Sequence, residues 1–322
     1  MKSYPDLLKW LTTRLAPLLV VFSAVSSERE PIEVIPAVIN YDVEKAKLGK
    51  KLFLDKRLSA DNSISCESCH QLDNAGVDLK PVSVGINGQR GVRNSPTVYN
   101  SVFNFRQFWD GRADDLVQQA GLPVINKLEM GMSSMDDVAN KLRDIPEYVT
   151  SFNAAFGGEI TPVRIQEAIA EFETTLVTPN AKFDRYLQGD ETAISDSAKH
   201  GYQLFKSFGC ASCHQGKNVG GNLFQKFGVL KDSALRDVKD TDLGRYEVTR
   251  NEWDKRVFKV PSLRLAYLTP PYFHDGSVPT LEEAVDIMIE FQLGRNVPQQ
   301  DRKDIIEFLS TLPGDMTGGK LP

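Results

Sequence analysis

Two copies of the pattern Cys-x-x-Cys-His are the residues of this chain best suited to chemistry. They occupy Cys66–His70 and Cys210–His214, and they use all four cysteines and two of the four histidines. Two thiols at this spacing can form thioether bonds to the vinyl groups of a haem, and the adjacent imidazole then ligates the iron. The pattern therefore predicts two covalently bound c-type haems.

Zinc sites and redox-active thiol pairs also use paired cysteines. A zinc site needs four ligands close together, whereas these two pairs lie 144 residues apart in the sequence. A thioredoxin-like pair requires no particular residue after the second cysteine, yet histidine follows both times. The haem interpretation accounts for both histidines and leaves no cysteine over.

The first 26 residues have the order of a secretory signal. Lys2, Lys9 and Arg14 precede an apolar run at 15–25 that ends in small residues. This order is typical of a signal peptide, and the run is short for a bilayer span. We therefore expect a signal peptide over 1–26 and a periplasmic protein, with an uncleaved anchor as the alternative.

The composition allows two domains and gives no sign of a nucleic-acid partner. The chain has 322 residues, of which 41% are hydrophobic, enough for two apolar cores. Its formal net charge is −5, and it becomes −7 without the predicted signal peptide. No block of basic residues is present, so we expect no binding to nucleic acid.

A short signature precedes each haem motif and indicates a duplicated unit. Gly-x-x-Leu-Phe occurs at Gly49–Phe53 and again at Gly201–Phe205, both within helical apolar spacing. Each haem motif is thus predicted to follow a helix whose apolar face covers the porphyrin. We predict a mainly α fold with long loops and little β structure, made of two cytochrome c-like domains with one c-type haem each.

Further helices and a domain boundary follow from capping residues and periodicity. The predicted helices run from Ser133 or Ser134 to about Arg143, from Pro162, from Pro279 to Phe291 and from Pro298 to Leu312. Long loops rich in Gly and Pro cover 71–111 and 216–278. We place the boundary within 180–195, so that 27–185 forms the N-terminal domain and 186–322 the C-terminal domain.

Several longer strings occur in a fixed order around the haem motifs. They are Arg93–Thr97, Phe108–Arg112, Glu129–Met130, Val260–Arg264 and Pro271–Gly276. Because of these strings, the chain resembles the bacterial di-haem cytochrome c peroxidases and their MauG-type relatives. The resemblance extends from Leu48 to Leu312. The resemblance implies a peroxidatic haem in the N-terminal domain and an electron-transfer haem in the C-terminal domain.

The resemblance also implies the iron ligands. His70 would be proximal to the peroxidatic iron and His214 to the electron-transfer iron. Met288, fourteen residues after His274, matches the second ligand of the electron-transfer iron. From the residues alone, a core methionine on a helix face is the better interpretation of Met288 than an iron ligand.

Four further residues match positions near the haems in the family. Glu129 matches the distal acid–base residue and Gln119 the distal glutamine, although a lone Glu is also an ordinary loop charge. Trp109 matches an aromatic residue between the haems, a role compatible with packing. His274 matches a histidine at a haem edge, in a propionate or hydrogen-bonding role.

A structural Ca²⁺ is also implied by the resemblance. The family binds it through an Asn side chain and two backbone carbonyls. Asn94, Thr269 and Pro271 occupy those places in this sequence. Oxygen donors of this kind suit Ca²⁺.

One position departs from many family members, which rest with a distal loop His on the peroxidatic iron. That His stands in a Gly-His-Gly context, where this chain has Gly85–Gly88 with Ile86 at the His position. Residues 71–199 contain no histidine. Our hypothesis is that peroxide binds without prior reductive activation. The rival hypothesis is that Met130, Met132 or Met135 replaces the ligand.

Three functions compete at this point. The first is a peroxidase that reduces H₂O₂ to water with electrons from a small cytochrome c or cupredoxin, and its expected assembly is a homodimer. The second is a MauG-like enzyme that oxidises residues of a partner protein through a bis-ferryl state. The third is a di-haem electron carrier. Met288 favours the first over the second, because MauG has Tyr there, and Glu129 with Gln119 argues against the third.

Overall fold

Ten α-helices account for most of the regular structure in the computed structural model, which describes residues 30–232, 242–316 and 321. They are α1 (Val43–Leu54), α2 (Leu116–Ile125), α3 (Met135–Arg143), α4 (Pro146–Phe156), α5 (Pro162–Thr174), α6 (Lys182–Leu187), α7 (Asp196–Ser207), α8 (Tyr246–Thr249), α9 (Leu281–Ile287) and α10 (Gln299–Ser310). Strands β1 (Phe224–Lys226) and β2 (Val257–Lys259) pair antiparallel, with Phe224 opposite Lys259. The prediction of a mainly α chain with little β structure is confirmed.

The predicted signal peptide at 1–26 lies outside the described residues. Among the helices within those residues, none is both long enough and apolar enough to cross a bilayer.

Local capping sets the helix starts that the sequence predicts. Ser134 precedes α3, and its hydroxyl oxygen accepts a hydrogen bond from the Asp137 backbone N–H at 3.1 Å. Thr161 caps α5 in the same way for the Arg164 N–H at 3.3 Å, and Pro162 is the first helical residue. Because these bonds join residues three apart in the sequence, the motif alone indicates both starts.

The described residues form two hydrophobic cores, each beside one Cys-x-x-Cys-His motif. Helices α1 to α5 supply most of the first core, against which Cys66 packs. Helices α6, α7, α9 and α10 supply most of the second, against which Cys210 packs. Phe183 of α6 lies in the second core, although it precedes the predicted boundary between 185 and 186. That boundary stays a prediction.

The recurring Gly-x-x-Leu-Phe signature marks two close helix crossings. A Cβ atom on Gly49 of α1 would collide with the carbonyl oxygen of Ala168 in α5. A Cβ atom on Gly201 of α7 would collide with the carbonyl oxygen of Asp304 in α10. The signature therefore has the same physical role in both halves, because only glycine lets the two backbones approach so closely.

Gly201→Val tests this role. We expect the added side chain to force α7 from α10 and to lower the free energy of unfolding by about 3 kcal/mol. The control is Gln203→Val, at an exposed position of the same helix, which should cost only about 0.5 kcal/mol. Guanidinium unfolding followed by circular dichroism measures both, and equal losses in the two variants would contradict the crossing argument.

Candidate active site

Both Cys-x-x-Cys-His motifs have the same backbone conformation. Each begins with a single 3₁₀ turn, and the histidine N–H donates to the carbonyl oxygen of the first cysteine at 2.9 Å in both copies. None of the four cysteines forms a disulfide bond. Burial raises the pKa of Cys210 to about 11 and also raises those of Cys66 and Cys69.

The two imidazole rings are oriented in the same way. The Nδ1 atom of His70 lies 3.3 Å from the carbonyl oxygen of Gly76, and Nδ1 of His214 lies 3.3 Å from that of Val219. A carbonyl only accepts, so Nδ1 carries the proton and Nε2 keeps its lone pair for a metal. Burial lowers the pKa of His214 to about 4 and lowers that of His70, which keeps both rings neutral.

A cavity of about 400 Å³ lies against the second motif. Its lining includes Cys210, Cys213, His214, Phe205, Val260, Leu263 and Ile289. An apolar cavity with two thiols and an imidazole on its wall fits a c-type haem. The residues that would hold this haem are therefore Cys210, Cys213 and His214.

Met288 lines the same cavity, at a change in helix type. The helix predicted over Pro279–Phe291 is α-helical from Leu281 to Ile287 and becomes a π-helix over Met288–Leu293. π-Helical turns are rare and are frequent at functional sites. The structure thus places Met288 on the cavity wall with His214, as iron ligation would require.

Near the first motif, Ile86 lies beside the segment that carries Glu129. The Ile86 N–H donates to the carbonyl oxygen of Glu129 at 2.9 Å, and the Ile86 side chain is buried. The side chain fills the space next to Gly131, where an added Cβ would collide with it. The Ile86 loop and the Glu129 segment therefore form one packed unit.

Glu129 and Gln119 have the surroundings of groups that handle protons and ligands. Burial raises the pKa of Glu129, against the opposing effects of Arg112 and of the Asn126 side chain, which donates to Glu129 Oε1 at 2.8 Å. Gln119 lies on α2, and its Oε1 atom is buried without a hydrogen-bond donor among the described residues. A buried acceptor of this kind needs a donor from a ligand or water.

Trp109, Asn94 and His274 are joined by hydrogen bonds. The indole N–H of Trp109 donates to the carbonyl oxygen of Asn94 at 2.9 Å, and the Asn94 N–H donates to that of His274 at 2.7 Å. The His274 ring is buried, stacks on Phe258 and lines the cavity together with Trp109. The structure thus brings these three sequence-predicted residues together.

Thr269 and Pro271 line the same cavity. The amide nitrogen of Asn94 donates to the carbonyl oxygen of Lys80 at 3.0 Å, so its Oδ1 atom is turned elsewhere. Neither the Thr269 nor the Pro271 carbonyl accepts a hydrogen bond from a described residue. All three oxygens are thus of the kind that Ca²⁺ binds.

Arg93 links two of the strings singled out in the sequence. Its guanidinium group pairs with Asp110 and, at 2.6 Å, with Asp242. Glu247 lies 3.1 Å from the same group. The Arg93–Thr97 and Phe108–Arg112 strings are therefore held together next to the cavity by a largely buried cation.

Comparison with known proteins places this geometry in a family. The family model described as di-haem cytochrome c peroxidase matches residues 43–192. The chain is 47% identical over 302 residues to cytochrome c551 peroxidase of Nitrosomonas europaea (93% of this chain, 89% of the relative). It is 44% identical over 313 residues to cytochrome c peroxidase Ccp of Escherichia coli strain K12 (97% and 67%).

The chain belongs to the di-haem cytochrome c peroxidase family. Its fold resembles the crystal structure of a MauG-like protein associated with microbial copper homeostasis, with a TM-score of 0.76 and 27% identity, covering 88% of this chain and 93% of the other. The predicted two haems and the predicted enzyme class, an oxidoreductase of the peroxidase type, are confirmed.

Sequence reasoning missed one buried acid in this di-haem peroxidase. Glu173 of α5 is 4% exposed, and its Oε2 atom has no hydrogen-bond partner among the described residues. Burial raises the pKa of Glu173 to about 8. Its charge would raise the pKa of the Cys66 thiol, so it lies near the first motif. Glu173 follows Ile169 by four residues on the apolar face of α5, and that spacing was the available signal.

His200, the histidine that lies in neither haem motif nor in the Pro271–Gly276 string, is on α7. Its Nδ1 atom is 2.8 Å from Asp304 Oδ2, and its side chain is 54% exposed. It therefore lies at the surface of the α7–α10 crossing.

Glu173 makes stability depend on pH. Its folded-state pKa is about 8 and its ordinary value is 4.5, so between these values the unfolded chain releases a proton that the folded chain keeps. Stability should then fall as pH rises. Glu173→Gln removes this loss. The free energy of unfolding of the variant minus that of the parent should therefore increase by roughly 1.4 kcal/mol for each pH unit in that window.

Guanidinium unfolding at a series of pH values measures the effect. The control is Glu159→Gln, at an exposed position, for which the stability profile should follow the parent. A Glu173→Gln profile parallel to the parent from about pH 5 to about pH 8 would show that Glu173 is ionised in the folded protein.

Proposed function

We propose that this family member reduces hydrogen peroxide to water at the N-terminal haem. Two electrons enter at the C-terminal haem from a small cytochrome c or cupredoxin, and two protons complete two water molecules. The observation that carries the proposal is the contact between the Ile86 loop and the Glu129 segment. It places a carboxyl group that can transfer protons beside a side chain that cannot ligate iron. Relatives named cytochrome c peroxidase support it.

Cys66, Cys69 and His70 would hold the N-terminal haem, which would supply the iron and redox chemistry for peroxide reduction. Glu129 accepts the proton from the inner peroxide oxygen and returns it to the outer oxygen, which then leaves as water. Because burial raises its pKa, the Glu129 carboxyl takes up a proton more readily than an exposed Glu, which suits it to both steps.

Asn126 positions the Glu129 carboxyl group, and Gln119 positions the peroxide. Asn126 holds one Glu129 oxygen by a 2.8 Å hydrogen bond and leaves the other for peroxide. The buried Oε1 of Gln119 accepts a hydrogen bond from peroxide, and its amide N–H can donate one. A ligand held on two sides loses less freedom in reaching the reactive geometry.

His214 and Met288 would hold the iron of the C-terminal haem, which would supply the electron-transfer chemistry. Thioether ligation raises the reduction potential of a haem relative to two imidazoles, which suits a haem that accepts electrons from a donor protein. Trp109 lies on the wall of the same cavity, fixed through its indole N–H to Asn94. We propose that it assists transfer to the N-terminal haem.

An open iron at the N-terminal haem would make the oxidised enzyme ready for peroxide. The rival ligands are methionines with packing roles: Met130 is buried in the first core, and Met132 and Met135 pack against it. Those contacts support the open site over a replacement ligand. The isoleucine at position 86 supplies bulk and no lone pair.

Export and a structural cation complete the proposal. The order of residues in 1–26 supports a signal peptide and a periplasmic enzyme. The oxygens of Asn94, Thr269 and Pro271 would bind Ca²⁺ beside the hydrogen bond that joins Asn94 to His274. A homodimer remains the expectation for the assembly.

A MauG-like oxidation of a partner protein is the second candidate function. The similarity to a MauG-like structure favours it, whereas Ile86 fits either function. Met288 on the cavity wall favours the peroxidase. Steady oxidation of a reduced small cytochrome c by peroxide would separate the two.

Glu129→Gln tests the proton role. We expect kcat/KM for hydrogen peroxide to fall by about 10² to 10⁴, because the amide cannot accept the peroxide proton. The optical spectra of both haems should stay unchanged. The matched control is Glu159→Gln at an exposed position, which should keep the parent rate. A fully active Glu129→Gln enzyme would assign the proton transfer to another group.

Ile86→His tests the open site. The oxidised parent should give a high-spin ferric EPR signal from the N-terminal haem, and the variant a low-spin one. The initial peroxidase rate of the oxidised variant should fall about tenfold or more, because the competent state becomes minor, and prior reduction should restore it. Ile86→Leu should behave as the parent. A low-spin signal in the oxidised parent would favour a methionine ligand.

A further inference from the structure

A lysine is buried in the wall of the C-terminal haem cavity. Lys259, the last residue of β2, is 6% exposed and lines the same cavity as Cys210, Cys213 and His214. Its backbone is fixed, since its N–H donates to the carbonyl oxygen of Trp109 at 2.7 Å. β2 also pairs with β1, where Phe224 faces Lys259. The ammonium group is therefore held near the cavity by a rigid backbone.

No carboxylate or carbonyl of the protein binds this ammonium group in the part of the chain that the structure describes. Burial lowers the pKa of Lys259 to about 8, and no neighbouring acid offsets that effect. The other deeply buried cation is paired: Arg264 bonds to Asp184 at 2.7 Å and to the Glu33 and Lys217 carbonyl oxygens, both at 2.6 Å. Burying a cation without a partner is costly.

The cavity wall supplies apolar neighbours and no compensating anion. Phe258 and Val260 flank Lys259 in sequence, and both are buried. A c-type haem brings its own anions, because its two propionate groups are carboxylates that remain free after thioether attachment. The cofactor is thus the source of negative charge that this cavity is built to receive.

We propose that the Lys259 ammonium group binds a propionate carboxylate of the C-terminal haem. The paired cation offsets negative charge close to the iron, and this favours the reduced, ferrous state. Lys259 is then a cofactor-binding residue that raises the reduction potential of the haem that receives electrons. This role rests on the two haems of the family and not on the proposed reaction of Glu129.

The test compares Lys259→Met with the parent holoprotein in a spectroelectrochemical titration. Methionine keeps the length and apolar stem but removes the charge. At a fixed potential we expect the ferrous-to-ferric ratio of the C-terminal haem to fall about tenfold, equivalent to about 59 mV for one electron. The propionate bands in the resonance Raman spectrum should shift as well.

Three further variants separate charge from packing. Lys259→Arg keeps a cation and should hold the parent potential, whereas Lys259→Gln should move in the direction of Lys259→Met. Lys255→Met removes a surface lysine that pairs with Glu252 at 2.6 Å and should leave the potential unchanged. If Lys259→Met fails to fold, the comparison of Lys259→Arg with Lys259→Gln carries the test.

Two outcomes would overturn the proposal. In the first, the charge-removing variants keep the parent potential and Raman bands, which would make Lys259 a packing residue. In the second, the parent potential depends on the concentration of chloride or phosphate, which would mean that an exchangeable buffer anion, and not a propionate, binds Lys259.

Discussion

The positions of the two cores and their haem motifs depend on two close helix crossings, each of which requires a glycine. At Gly49 and at Gly201 the absence of a side chain lets one helix lie directly on the backbone of another. The helices of each crossing contribute to one hydrophobic core, and the first cysteine of one Cys-x-x-Cys-His motif packs against each core. The thiols and imidazoles are therefore presented from the edge of a rigid helix pair, and the same solution occurs in both halves of the chain.

A few ion pairs and hydrogen bonds hold the long loops in a defined conformation. Arg93 forms ion pairs with Asp110 and Asp242. Arg264 forms an ion pair with Asp184 and donates hydrogen bonds to two backbone carbonyls. Because these cations are largely or wholly buried, losing one partner would leave an uncompensated charge. Such contacts let segments without helices or strands form the precise wall of a cofactor cavity.

The two haem sites differ in the buried side chains that surround them. Near the first motif lie acids whose pKa values burial raises, Glu129 and Glu173. At the second lie Lys259, a cation, and Met288, a neutral sulfur ligand on the proposed assignment. Acids with raised pKa values suit proton movement, whereas a cation and a thioether suit a high reduction potential. One duplicated fold can thus hold two haems with different tasks.

The sequence by itself determined the features that depend on neighbours along the chain. It determined the haem attachment motifs, the helix starts at Ser134 and Pro162, and the family, because attachment, capping and signature strings are local patterns. Only the tertiary structure decided the burial of Glu173 and Lys259 and the packing of Ile86 against Glu129. Burial and electrostatics there depend on groups distant in sequence, which meet only after the helices cross and the loops close over them.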